Sequence, residues 1–297
     1  MASIEEPAPE QIKPLTAADL PGALRLSNSA HWNQSAGDWQ MMLAAGQGWC
    51  IHAMGGDGHL QLAASVIVLP YGTRFAWVSM VLVLPEFQRR GYAQALLQHA
   101  LAWVSARGLT AVLDATPAGH AVYERVGFVD TWGFARHRRE GGERDAAPAP
   151  APALTAARPL QGSDWPAILA LDAPAFGASR EQLLRALWQR WPRGAWVVEE
   201  AGRLRGFVFG RSGREAHQIG PLIADDTTTA QQLISAALRD VPGAAYVDLC
   251  DPQKALLPWL QQQGFVLQRP FTRMVWGATS APGDNASVVL VAGPELG

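Results

Sequence analysis

The chain has little of what would classify it at a glance. In 297 residues it holds two cysteines, Cys50 and Cys250, far apart and in no metal or redox spacing. That excludes a disulfide framework and a thiolate metal centre, and both residues read as buried free thiols of a cytosolic protein. No apolar run is long enough to span a bilayer. The opening MASIEEPAPEQ is acidic and contains proline, unlike a secretory leader. A net charge of −2 leaves no basic surplus, so neither nucleic acid nor a membrane surface is an expected partner. Charged residues make up only 17%, against 48% hydrophobic, which describes a folded, core-forming chain long enough for two domains.

What is present is internal similarity. The segment EGGERDAAPAPAPA, Glu140 to Ala153, combines charge, glycine and Pro-Ala alternation and reads as a semi-rigid linker. It divides the chain into residues 1–140 and 154–297, with 141–153 between. LTAADLPGALRL from Leu15 lines up with LQGSDWPAILAL from Leu160. AQALL from Ala93 matches AQQLI from Ala230, and GFV from Gly127 matches GFV from Gly264, both at an offset of 137 residues. Separated blocks at one offset indicate a duplicated unit.

Hydrophobic periodicity orders the first unit. A short strand is followed by helices at Leu20–Ser27 and Ser35–Ala45, then strands at Gly48–Ala53, Leu60–Leu69 and Phe75–Leu84. A helix over Tyr92–Arg107, stopped by Gly108, leads to a strand at Ala111–Ala115. A helix over Pro117–Val126 and a strand from Phe128 complete it. Strands alternating with crossing helices predict an α/β or α+β fold with a mixed sheet.

Between strand and helix lies PEFQRRGYAQALL. Helix N-terminal amides and the positive end of the helix dipole favour an anion there. Gly91 lets backbone approach a pyrophosphate, and Arg89 and Arg90 add cationic donors. VLVLPEFQRRGYAQALL resembles the acetyl-CoA signature of the GCN5-related N-acetyltransferases (GNAT), Gln/Arg-x-x-Gly-x-Gly/Ala, as Gln88-Arg89-Arg90-Gly91-Tyr92-Ala93. AVYERVGF, Ala121 to Phe128, resembles the family's later helix, which carries a tyrosine near the thioester. The resemblance implies two tandem GNAT-like domains, each a mixed, mostly antiparallel sheet flanked by helices.

It further implies that Val81, Leu82, Val83, Gln88, Arg89, Arg90, Gly91, Tyr92, Ala93 and Gln94 hold acetyl-CoA, and that Tyr123 assists the departing thiolate. No metal is expected. The loop HWNQSAGDW, His31 to Trp39, offers Trp32, Asn33 and Gln34 to an acceptor, although Ser35 with Asp38 also reads as a capping box and Trp39 as core. Glu86, His120 and Asp114 are candidate bases, none singled out. His99 reads as packing, and Arg136-His137-Arg138-Arg139 as a solvated strand end.

At the same offset, Gly91 meets Thr228, Tyr123 meets Leu260, and Gln88 to Arg90 meet Asp225, Asp226 and Thr227. The second turn thus loses glycine and cations, with Asp225 as an N-cap or first-turn residue, and the second unit is expected to be degenerate. The expected activity is acetyl transfer from acetyl-CoA to a small-molecule amine, by a cytoplasmic monomer or homodimer. Acetylation of a protein or peptide, and a non-catalytic acyl-CoA sensor, are the alternatives. Ser287 to Gly293 could close either sheet.

Overall fold

The computed structural model describes residues 12–141 and 157–297. The linker expected over 141–153 and the opening segment therefore lie almost wholly outside the described residues.

The first half runs β1 (Ile12–Pro14), α1 (Leu20–Ser29), α2 (Ala36–Ala45), β2 (Gln47–Met54), β3 (Leu60–Tyr71), β4 (Phe75–Val83), α3 (Tyr92–Ser105), β5 (Thr110–Ala115), α4 (Pro117–Arg125) and β6 (Val129–Arg139). The second repeats the order as β7 (Ala157–Pro159), α5 (Trp165–Phe176), α6 (Glu181–Arg190), β8 (Trp196–Glu200), β9 (Arg203–Arg211), β10 (His217–Ala224), α7 (Thr227–Leu238), β11 (Ala245–Cys250), α8 (Leu257–Gln262) and β12 (Val266–Trp276). A short β13 (Val288–Leu290) is added at the end. Among the described residues no helix is long and apolar enough to cross a membrane.

Local chemistry sets the boundaries. Leu96, Leu97, Ala100, Leu101 and Val104 place one buried stripe on α3. Pro117 opens α4 behind Thr116, whose Oγ accepts from the Gly119 amide at 3.2 Å. The Ser35–Asp38 capping box forms, with the Ser35 amide donating to Asp38 Oδ2 at 2.7 Å, and Trp39 is fully buried.

The expectation of one sheet per half is corrected by the strand order. The thirteen strands of the described residues form a single sheet, β1-β2-β3-β4-β5-β12-β6-β11-β13-β10-β9-β8-β7. The last long strand of each half crosses over: β12 pairs with β5, and β6 pairs with β11, both antiparallel. Each half is completed by the other, which closes an edge that would otherwise be open. The core follows the same rule. One apolar cluster holds Trp39, Phe75, Trp77 and Phe134 from the first half with Trp165, Phe176, Phe207 and Phe209 from the second.

The exchange also corrects the reading of Arg136 to Arg139. Arg136 and His137 are buried, on a strand that runs between two others. Arg136 grips Asp248 with two bonds of 2.7 Å, and Arg273 on β12 grips Asp114 on β5 at 2.9 and 3.0 Å. Asp38 receives Arg190 at 2.8 Å and Arg211 at 3.0 Å, both from the second half. Burial raises the Asp38 pKa, but Arg211, Arg190 and the Ser35 amide outweigh it and hold the carboxyl below its ordinary value.

Candidate active site

β4 and β5 run parallel only from Phe75↔Thr110 to Trp77↔Val112. Beyond Trp77 the strands part. On its other side β4 carries a bulge, with Met80 and Val81, between Ser79 and Leu82, facing the single Val66 between Ile67 and Ser65. Met80 lies within it at φ 53°, and its carbonyl accepts the Ser65 hydroxyl at 2.8 Å. A non-glycine residue in this region costs about 1–3 kcal/mol, a strain that collects at functional sites. The bulge turns β4 away from its neighbour.

The parted strand feeds a loop that ends at α3. Pro85–Phe87 make one tight turn, and Phe87 is buried under the loop. Arg89 at φ 63° and Gly91 at φ 80° then curl the chain onto the helix, with Gly91 as N-cap and no side chain capping it. The first amides of α3 are thus left for an outside acceptor at the positive end of the dipole.

A groove of about 860 Å³ starts here. Val83, Gln88, Arg89, Gly91, Tyr92, Ala93 and Gln94 line it, as the sequence signature requires of neighbours around one ligand. Arg90 does not line it: its guanidinium donates to the Glu86 carbonyl at 2.8 Å and lies over the Phe87 ring. Leu82 is directed into the central core. The sequence did not single out the opposite wall, formed by Val122, Arg125, Val126 and, from the second half, Trp276.

Val81 and Tyr123, neighbours of groove residues, line a smaller cavity of about 30 Å³ between the parted strands. Burial pushes the Tyr123 hydroxyl up to about 12, and among the described residues nothing hydrogen-bonds it. Trp32 and Gln34 form part of the wall. Asn33 does not, which corrects its assignment to acceptor binding. Its amide donates to the Ala216 carbonyl at 3.0 Å and accepts from the Glu215 and Ala216 amides at 2.9 and 3.1 Å. Asn33 pins the β9–β10 connection instead.

Of the three candidate bases, only Asp114 lines the cavity, and both its oxygens are taken by Arg273. His120 bonds Asp130 at 2.8 Å, and Glu86 is exposed beside Gln61. His99 packs edge-on against Trp49. β4 and β5 add Ser79 and Leu113 to the wall, and the second half adds Arg269, Phe271, Pro294 and Glu295, joined by the exchanged Arg136.

The equivalent place in the second half is closed. β10 and β11 run parallel from His217↔Ala245 to Ile219↔Val247 and then part in the same way. There β13 fills the gap, pairing Leu222↔Leu290 and Leu249↔Leu290. Only residues 225–226 separate β10 from α7, against 84–91 in the first half. Asp226, not Asp225, is the N-cap, accepting the Thr229 amide at 2.8 Å. Gly91 is therefore matched by Asp226, and the expected match to Thr228 is two residues out. Leu260, the counterpart of Tyr123, is fully buried.

Family models match both halves. Residues 24–128 match the acetyltransferase (GNAT) family and residues 168–289 an acetyltransferase (GNAT) domain. The chain is a tandem GNAT protein. It is 25% identical over 236 residues to holothin acyltransferase of Pseudoalteromonas sp. (strain SANK 73390), covering 79% of this chain and 77% of that protein. Its fold is similar to an acetyltransferase candidate from Pyrococcus horikoshii, at 20% identity and a TM-score of 0.73, over 96% of this chain and 95% of that one. A tandem GNAT protein from the clavulanic acid biosynthesis pathway matches at 17% identity and a TM-score of 0.61, over 90% and 99%. GNAT membership makes the chain an acyltransferase in its general chemistry.

Proposed function

We propose that the first half transfers an acetyl group from acetyl-CoA to the amine of a small molecule, and that the second half binds no acyl-CoA. The observation that carries this is the gap between the parted strands β4 and β5, which no strand among the described residues fills and which joins the Gly91 loop to the Tyr123 cavity. The pyrophosphate would meet the α3 amides and Arg89, and the pantetheine arm would lie along the free edge of β4. An amine in the cavity then attacks the thioester carbon directly. The C–N bond forms from the nitrogen lone pair, and the C–S bond breaks with its electrons on sulfur. Tyr123, held as a phenol by burial, gives its proton to the thiolate and regains one from the new amide nitrogen.

A cavity of about 30 Å³ favours a compact acceptor over a peptide. Two matched proteins are named for small-molecule chemistry, holothin acylation and clavulanic acid biosynthesis, which supports the same choice. Calorimetric titration with acetyl-CoA, followed by CoA release in the presence of amines, tests the reading. Binding of one acetyl-CoA per chain and amine-dependent release are expected. Tight binding with no release under any amine would make the chain a sensor instead.

A further inference from the structure

Among the described residues, six buried side-chain polar atoms have no hydrogen-bond partner, and four of them line one cavity: Gln34 Oε1, Ser79 Oγ, Arg269 Nε and Glu295 Oε2. A buried polar atom left unpaired costs about 1–3 kcal/mol, so four around one space mark a place built for a polar occupant.

Glu295 is held there by a strap. After β13 the chain turns at Gly293, φ 114°, and runs back across the first half. Trp77 Nε1 donates to the Pro294 carbonyl at 2.9 Å, Tyr71 to Leu296 at 2.8 Å, and Arg180 to Gly297 at 2.7 Å. Arg211 takes the Ala292 carbonyl and Glu295 Oε1. Glu295 is 2% exposed, and among the described residues nothing hydrogen-bonds its second oxygen. Arg269 is the complementary case. Among the described residues it has no carboxylate partner, and it stacks on Phe271 at 5.1 Å. Burial and the nearby Arg136 cation press its pKa below the ordinary value, while Arg136 itself is neutralised by Asp248.

The unpaired set specifies its ligand. Two free acceptors, Glu295 Oε2 and Gln34 Oε1, ask for an N–H-rich cation, and an unpaired guanidinium asks for an anion. We propose that the acceptor is a small dipolar amine, its nitrogen received by Glu295 and Gln34 and its carboxylate by Arg269. This rests on the acyl-transfer reading above. Glu295 Oε2 also takes the ammonium proton, leaving the neutral amine whose lone pair attacks the thioester carbon, and later releases it to solvent. The half without a cofactor groove thereby supplies the acceptor end of the site in the other.

The test compares matched probes, 4-aminobutyrate against butylamine and L-alanine against ethylamine. The wild-type chain should favour the carboxylated member of a pair by about tenfold or more in kcat/KM, because a half-buried guanidinium whose buried Nε is left unpaired penalises the bare amine. Arg269→Gln should erase that preference, leaving the carboxylated member of each pair no better than its bare partner. Glu295→Gln, nearly isosteric, should lower turnover of both by about a hundredfold, with acetyl-CoA affinity unchanged. Equal rates within each pair in the wild type, or an intact preference in Arg269→Gln, overturn the proposal. If Glu295→Gln melts early, Arg269→Gln carries the test alone. Should the wild type bind no acetyl-CoA, the acyl-transfer reading fails, and calorimetry of the carboxylated probes with the free chain still decides the ligand class. Binding that is lost in Arg269→Gln supports it, and no binding sinks it.

Discussion

The two halves share one plan and part company at one place. In each, two parallel strands start paired and then separate. In the first half the gap is open, and the loop beyond it spans residues 84–91 with Gly91 at its end. In the second the gap holds β13, the loop is residues 225–226, and its carboxylates are met by Arg205, at 3.1 Å from Asp225. The difference teaches that the fold does not need the cofactor groove. A strand of the chain's own can occupy the space a ligand would take, with Val289 and Leu290 nearly inaccessible to solvent. The same segment continues past β13 and presents Glu295 to the open site. One tail closes the second gap and furnishes the first.

The largest effect expected is loss of the cofactor from the open half. Gly91→Glu puts a side chain at φ 80° and a negative charge where a pyrophosphate would lie. Like charges in a partly dry site cost several kcal/mol, so calorimetry should show acetyl-CoA affinity reduced by about a thousandfold or more in a chain that still melts cooperatively. Retained binding would move the groove away from this loop.

Next in size is Tyr123→Phe. It removes a proton donor without changing the wall, so kcat should drop by about ten- to a thousandfold while acetyl-CoA affinity holds. The pH profile sharpens this. With its hydroxyl pushed up to about 12, Tyr123 keeps its proton across the neutral and mildly alkaline range. Any alkaline limb of kcat well below that value belongs to another group and should survive in Tyr123→Phe. Unchanged turnover with a good acceptor would reduce Tyr123 to a packing residue.

Smaller effects separate Trp32 from Asn33, neighbours with different duties. Trp32→Ala should raise the acceptor's KM more than that of acetyl-CoA, since Trp32 lines the cavity. Asn33→Ala leaves the Ala216 carbonyl and two amides unpaired at the join between the halves. It should cost about 1–3 kcal/mol of stability, read as a lower melting temperature, with KM values unmoved. A pure KM effect in Asn33→Ala would restore it to the acceptor site.

Much of this was legible in the residues. Strand alternation, the α3 stripe and the Gly91 loop are local signals, and the element boundaries follow them within a few positions. Partners between strands are not local. Nothing in TWGFARHRR states that Arg136 will face Asp248 across an exchanged strand, and a run of cations reads as solvated until its carboxylate is seen. The offset of 137 residues is sound at Tyr123 and Leu260 but two residues out at the loop, because α7 reaches further back towards β10 than α3 does towards β4. Glu295 carries no motif. Its meaning lies wholly in where β13 and the strap leave it.

The smallest expected effect is the most direct test of the comparison. Thr228 lies exposed in the first turn of α7, beside the loop that replaces the anion site. If the second half retained any pyrophosphate binding, Thr228→Glu would add a third carboxylate to Asp225 and Asp226 and abolish it. The geometry predicts no change, because the gap behind that loop is already occupied by β13 and the Asp226 carboxylate is committed to the Thr229 amide. Calorimetric titration of Thr228→Glu should therefore give the wild-type stoichiometry of one acetyl-CoA per chain and the wild-type affinity. Two sites in the wild type, one of them lost in this variant, would mean that β13 yields its place to the ligand, and that the two halves are alternative sites instead of a site and its support.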